Sequence, residues 1–228
     1  MKIPAILCRT ILIAGTSMLL FGCTTKATNT RVSQPAIITA SEWNSTPSEF
    51  PAEYLHTPSK VLLHHAGVTW KAGPDPAVRL KNLQSWGGRE KGWFDVPYHY
   101  LIAPDGRIYE GRSVRYKPDS NTDFDTTGCI NVQLWGNFEE QRVSLAQLES
   151  TIALTAWLME KYGMERDAYL THLDIAPGQT TCPGRDFYQY IQTGTFGGWL
   201  RTTLAGEDPV IALLEPLPDG PLEMIPTE

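Results

Sequence analysis

From residue 36 onward the chain breaks into short apolar runs and longer amphipathic stretches, separated by Gly, Pro, Asn and Asp clusters. The run Val61-Leu-Leu-His64 reads as a buried strand that ends on a histidine. Asp75-Pro76 then supplies an N-cap followed by proline at the first helical position. The helix it opens carries Ala77, Leu80, Leu83 and Trp86, and Gly87-Gly88 is expected to stop it. Residues 98–103 and 107–111 flank Pro104-Asp105-Gly106, which predicts a hairpin. A further strand is expected from Cys129 to Trp135. Ser144-Leu-Ala-Gln147 has the form of a capping box, and the helix after it places Leu148, Ile152, Ala156 and Met159 on one face. Lys161 near its end and Gly163 just beyond are C-terminal signals. Residues 168–171 form a short strand that delivers His172. Strands and helices alternate irregularly, so the predicted fold class is α/β, a mixed central β-sheet flanked by helices.

The two ends follow other patterns. Lys2 and Arg9 precede an apolar run over residues 11–22, too short to span a bilayer comfortably and in the form of an export signal. Residues 23–35 are polar without apolar periodicity, as in a flexible tether. The folded domain is expected over residues 36–206. Residues 207–228 are acidic and proline-rich, which predicts an extended tail, with 210–214 available to pack on the domain.

With 228 residues the chain can build one domain with a sizeable core plus tails. Its formal net charge of −6 becomes more negative once residues 1–22, with Lys2 and Arg9, are removed. That argues against nucleic acid as a partner, because phosphates demand a basic face. The chain has four cysteines. Loss of Cys8 with the signal and modification of Cys23 would leave Cys129 and Cys182. They could form one disulfide, or Cys182 could ligate a metal while Cys129 sits as a small apolar residue in its strand.

The most specific chemistry lies in His172-Leu-Asp-Ile-Ala-Pro-Gly-Gln-Thr-Thr-Cys182, read together with His64-His65. Two histidines and a cysteine make a zinc set with one tetrahedral position open, as in catalytic rather than structural sites. His65, next to the ligand on a strand, points to the opposite face and reads as a core or supporting residue.

In this order, residues 38–43, Leu63-His64-His65, the run 93–112 with Tyr98-His99, the run 129–138 and the run 172–182 resemble the zinc-dependent N-acetylmuramoyl-L-alanine amidases of the type 2 amidase and peptidoglycan recognition protein superfamily. The resemblance covers roughly residues 36–200. It implies one Zn2+ per chain held by His64, His172 and Cys182, and hydrolysis of the amide between N-acetylmuramic acid and L-alanine in peptidoglycan or muropeptides. It implies catalytic roles for Tyr98, facing the metal, and Thr180, standing where some relatives carry lysine. Gln133 replaces the glutamate that some relatives use as a base and cannot take a proton. His99 is read as structural. Trp70, Lys71, Trp86, Trp93, Arg112, Arg115 and Tyr116 are candidate substrate contacts, the aromatics for sugar faces and the cations for stem-peptide carboxylates. Leu20-Phe21-Gly22-Cys23 resembles a bacterial lipobox, which implies a lipid anchor on Cys23 and the periplasmic face of the outer membrane; an ordinary signal peptide is the alternative. A non-catalytic peptidoglycan receptor on the same fold, or a zinc hydrolase of another amide, remain alternatives to the amidase.

Overall fold

The structure, a computed structural model, describes residues 32–73 and 75–227. The expected signal, Cys23 and most of the tether therefore lie outside the described residues. Six strands form one sheet: β1 (Ile37–Ile38), β2 (Lys60–His65), β3 (Tyr100–Ile102), β4 (Ile108–Glu110), β5 (Cys129–Leu134) and β6 (Tyr169–Thr171), in the order β1-β4-β3-β5-β2-β6. All neighbours are parallel except the β3–β4 hairpin, so the sheet is mixed. β2 beyond Lys60 and the whole of β5 are buried on both faces, as the centre of a largely parallel sheet requires.

The helix α1 (Pro76–Trp86) starts on Asp75, whose carboxylate accepts from Ala77 N at 2.7 Å. Gly87-Gly88 does not stop it. The chain continues through a wider π-type turn, Gly87–Lys91, and ends at left-handed Gly92. Gly87 is required for packing instead: a Cβ there would lie 2.9 Å from the Trp93 ring.

Helix α2 (Leu145–Lys161) carries the capping box between Ser144 and Gln147. Its first turn is tied to the sheet, as Ser144 Oγ donates to Pro104 O at 2.6 Å and Gln147 Nε2 donates to Trp135 O at 2.8 Å. α2 covers the sheet face that carries Leu63, Tyr100 and Val132, which share one register line, and Trp157 meets Tyr100 edge-on. The helices α4 (Arg185–Gln192) and α5 (Thr195–Leu204) extend that layer through Phe187, Phe196 and Leu200, all fully buried. Between β6 and α4 lies α3 (His172–Ile175), a single turn capped by Thr171 and Asp174.

Residues 207–227 contain no helix or strand. Ile211 and Leu214 pack on the core and Ile225 is buried in it, while Val210 is 89 % exposed.

Candidate metal centre

Period two along a strand puts Leu62 and His64 on the face opposite Leu63 and α2. The register sets His64 level with Gln133 and Leu62 level with Asn131, so three polar side chains share the end of this face. His64, Asn131 and Gln133 are each at most 4 % exposed. Burying that much polarity without partners would cost free energy, so the cluster points to something that it binds. His64 Nε2, Asn131 Oδ1 and Gln133 Oε1 are in fact without a well-aligned partner among the described residues.

His172 arrives from β6 at the first position of α3, where the Thr171 cap fixes its backbone. Its ring lies 4.7 Å from that of His64. Cys182 comes from the turn before α4, held by Leu173 N donating to Cys182 O at 2.7 Å. The ligand atoms of His64, His172 and Cys182 all lie within 4.8 Å of one another. Cys182 Sγ stands 3.6 Å from His64 Nδ1. A tetrahedral zinc with bonds of about 2.3 Å to sulfur and about 2.1 Å to nitrogen separates its ligand atoms by about 3.6 Å. The set fits a zinc ion.

The surroundings fit as well. His172 Nε2 is 2.5 Å from Thr122 Oγ1, which leaves Nδ1 as the free ring nitrogen. Asn131 leans on the His64 ring and offsets part of the cost of its burial, although the bond is too poorly aligned to satisfy either atom. Burial, with the neighbouring His172 second, holds His64 well below the usual histidine range, in the neutral form that ligation needs. Burial pushes the Cys182 thiol up to about 12, and the His65 N–H at 3.3 Å from Sγ works against that. Only a cation at the sulfur would make it a thiolate at neutral pH.

Tyr98 precedes β3 and presents its ring edge-on to His64 at 5.3 Å. Burial raises its pKa, Cys182 adds to the rise, and a hydrogen bond from Gln133 opposes it, so the phenol stays a donor at neutral pH. Thr180 Oγ1 accepts from Cys182 N at 3.0 Å, which fixes the hydroxyl beside the ligand turn with its own proton still available. His65 points the other way, its Nδ1 accepting from Phe138 N at 3.2 Å. The His99 ring is fully buried, with Nδ1 accepting from Asn131 N and Nε2 meeting Tyr116 O, which is a structural role.

The candidate substrate contacts divide. Trp70 is 8 % exposed, stacked on Trp135 and covered by the Arg79 guanidinium 3.9 Å from its ring, so no sugar can reach its face. Arg112 is fully buried, its guanidinium spent on Asp119 and on the carbonyls of Asp95, Val96 and Lys117. Both are corrections to the sequence reading, which cannot distinguish a buried Arg or Trp from an exposed one. Trp93 lines a cavity of about 550 Å³ with Phe94, Lys81 and Arg89. Trp86, 39 % exposed, meets Trp93 edge-on at 5.9 Å. Arg115 instead lines a separate cavity with Tyr100, Lys161 and Tyr162, on the face that α2 covers. Lys71 is exposed, and its carbonyl accepts from Arg79. Tyr116 stacks on Phe50 at 4.3 Å.

A disulfide between the two remaining cysteines does not form, as both are free thiols. Cys129 pairs with Lys60 at one end of β2, and Cys182 meets His65 at the other. Five residues of strand, about 16 Å, separate those ends, far beyond a disulfide's reach. Burial pushes Cys129 up to about 11, as suits an inert core thiol.

Sequence reasoning missed Thr122, which holds the His172 ring, Asn131, which lies against the His64 ring, and Phe124, whose ring lies 5.6 Å from His172. Asn131 was legible in principle, since it lies two residues before Gln133 on the metal face. Thr122 and Phe124 sit in a loop with no periodicity to give them away.

Comparison with known proteins follows the same lines. A family model described as N-acetylmuramoyl-L-alanine amidase matches residues 54–185. Peptidoglycan recognition protein 1 of Mus musculus is 30 % identical over 160 residues, covering 69 % of this chain and 86 % of its own length. Among solved structures, Drosophila peptidoglycan recognition protein SD is 26 % identical with a TM-score of 0.61, over 70 % of this chain and 94 % of that one. The N-acetylmuramoyl-L-alanine amidase LysC from Clostridium intestinale is 26 % identical with a TM-score of 0.57, over 71 % and 98 %. With the matched segment bringing His64, His172 and Cys182 within 4.8 Å of one another, the chain belongs to the N-acetylmuramoyl-L-alanine amidase family, within the type 2 amidase and peptidoglycan recognition protein superfamily.

Proposed function

We propose that this protein is a zinc-dependent hydrolase that cleaves the amide between N-acetylmuramic acid and L-alanine in peptidoglycan or muropeptides. The observation that carries the reading is the convergence of His64, His172 and Cys182 within 4.8 Å, with the cysteine retained and the Tyr98 ring against His64. Zinc, when bound, supplies an activated water at neutral pH and polarises the scissile carbonyl. The chain's own part is to orient and to donate. Thr122 holds the His172 imidazole so that it offers Nδ1, and Nδ1 of His64 already faces Cys182 Sγ at 3.6 Å. Tyr98, kept protonated by burial, donates to the oxygen on which negative charge develops, and Gln133 holds its hydroxyl. Thr180 adds a second hydroxyl donor beside Cys182. Gln133 cannot exchange a proton, so the reading assigns no carboxylate base on the metal face.

The substrate assignment draws on relatives, two named for recognising peptidoglycan and one for cleaving the muramoyl–alanine amide. A peptidoglycan receptor on the same fold is the competing reading. Incubation with murein and defined muropeptides, with products identified by mass, distinguishes the two. Free stem peptides beginning at L-alanine, absent with chelator and with Cys182→Ala, are the expected result. Tight murein binding without cleavage by the zinc-loaded protein would sink the enzyme and establish the receptor. A lipid anchor at Cys23, holding the protein at the periplasmic face of an outer membrane, completes the proposal.

A further inference from the structure

The C-terminal segment beyond residue 206 lies outside the matched amidase residues, 54–185, yet it is clasped to the domain at defined points. Arg142 N donates to Glu223 O at 2.7 Å, and Ile225 N donates back to Arg142 O at 3.1 Å. The Arg142 side chain donates Nη2 to Leu214 O, and Leu214 N donates to the Tyr190 hydroxyl at 3.0 Å. Arg185 adds a looser contact to Asp219 at 3.8 Å. Ile225 is 3 % exposed and presses on Gly136, where a Cβ would come within 2.7 Å of Ile225 Cδ1 and 2.9 Å of the Phe138 ring. The intervening chain is largely exposed. A segment free of regular structure, fastened mainly at Leu214 and Ile225, has the form of a strap.

What it fastens is the far side of the metal centre. The other branch of Arg142, Nε, donates to the buried Asp186 carboxylate at 3.2 Å, and Val143 N donates to the same group at 2.8 Å. Asp186 opens α4 four residues after Cys182, and its own N–H donates to Phe138 O at 3.0 Å. Phe138 N in turn donates to His65 Nδ1. Gly184, two residues after Cys182, sits so tightly between Phe138 and His65 that a Cβ would meet them at 2.7 and 2.8 Å. One continuous set of contacts thus runs from Ile225 and Arg142 through residues 136–143 to the turn that carries the cysteine ligand.

We propose that the C-terminal segment is a strap that positions the Cys182 turn, with Arg142 and Ile225 as positioning residues for the metal centre. The inference rests on the metal reading above and goes beyond it by assigning a role to a segment that the family match leaves out. If the tail merely adds stability, its loss lowers the melting temperature and leaves the ligand geometry alone. A positioning strap does more, because groups supporting a metal's ligands typically change affinity by about 10–100-fold when removed.

The test uses the full-length protein with Ile225→Asp, which undocks the end, and Arg142→Lys, which keeps a charge beside Asp186 but loses the fork to Leu214. Leu80→Ala on α1, fully buried and outside the contacts that join Ile225 to the Cys182 turn, serves as a control for general destabilisation. Three quantities are compared: zinc affinity by chelator competition, the absorption spectrum of the cobalt-substituted protein, and amide exchange of residues 180–186 without metal. About tenfold weaker zinc binding in Ile225→Asp, an altered cobalt–thiolate band and faster exchange in the turn are expected, with a smaller effect in Arg142→Lys. If all three match the wild type, or move no further than in Leu80→Ala, the strap is overturned. Should Ile225→Asp not fold, Ile225→Ala decides by the same criteria. A wild type that takes up no metal defeats the metal reading instead, and the exchange of the metal-free turn still judges the strap.

Discussion

Thr122 shows how much a single side chain outside the ligand set can decide. Its Oγ1, 2.5 Å from His172 Nε2, leaves Nδ1 as the only nitrogen that ring can offer a metal. Thr122→Val keeps the shape and removes the oxygen, and should weaken zinc binding by roughly 10–100-fold, while Thr122→Ser should retain it. Chelator competition on the three proteins checks this, and equal affinities would show that the contact orients nothing. His99 gives a second residue-scale expectation. Burial holds its imidazole down to about 3, against about 6.5 in an unfolded chain. Between those values the unfolded state takes up a proton that the native state refuses, so stability is fully present above pH 6.5 and falls as pH drops below it. From pH 7 to pH 5 the loss from this one group is about 2 kcal/mol. Urea titrations of wild type and His99→Gln at both pH values should show the wild type losing that much more, and parallel losses would refute it.

At the scale of elements, two left-handed glycines separate backbone strain from packing. Gly163 ends α2 with φ +62° and open space where a Cβ would go. Gly163→Ala should therefore cost only the conformational penalty, about 1 kcal/mol, and leave zinc binding unchanged. Gly184 has φ +81° and is closed in by the Phe138 backbone and His65. Gly184→Ala must move the start of α4, with Cys182 two residues upstream, and should lower both stability and zinc affinity. Thermal melts with and without zinc distinguish the two, and equal effects would mean that the ligand turn tolerates displacement. Among the elements, the capped helices and the β3–β4 hairpin were legible because cap and turn chemistry act within a few residues. The one-turn α3, α4 and α5 went unread in the sequence. α4 and α5 open on glycines without a side-chain cap, and α5 has Gly197-Gly198 inside it, so local signals argue against helices that burial of Phe187, Phe196 and Leu200 stabilises.

For the whole molecule, the ends of α2 set a direction. Its first turn bonds the C-terminal ends of β3 and β5, beside the metal centre. Its last turn lies at the other end of the domain, and there Val32 N donates to Glu160 at 2.8 Å. The chain therefore enters the domain at the end away from His64 and His172. A lipid on Cys23 would therefore tether the domain from the end away from the metal centre. Among the described residues no helix is long and apolar enough to cross a membrane. Labelled palmitate should enter the wild type and be absent from Cys23→Ala, which should be released from membranes. Equal membrane retention of the variant would refute the anchor.

The sequence alone determined what depends on local chemistry: strand and helix starts, the hairpin, the class of the fold and the identity of three residues suited to one zinc ion. The two histidines and the cysteine could be read because ligand chemistry tolerates few residue types and because they stand, in order, where the resemblance to the amidases implies its ligands. Only the tertiary structure decided which of the remaining polar and aromatic residues face that cluster. Trp70 and Arg112 look as available in sequence as Trp93, yet close packing buries the first two. Thr122, Asn131, Arg142 and Ile225 acquire their roles only where distant segments meet, and no periodicity within any one segment encodes a contact across the fold.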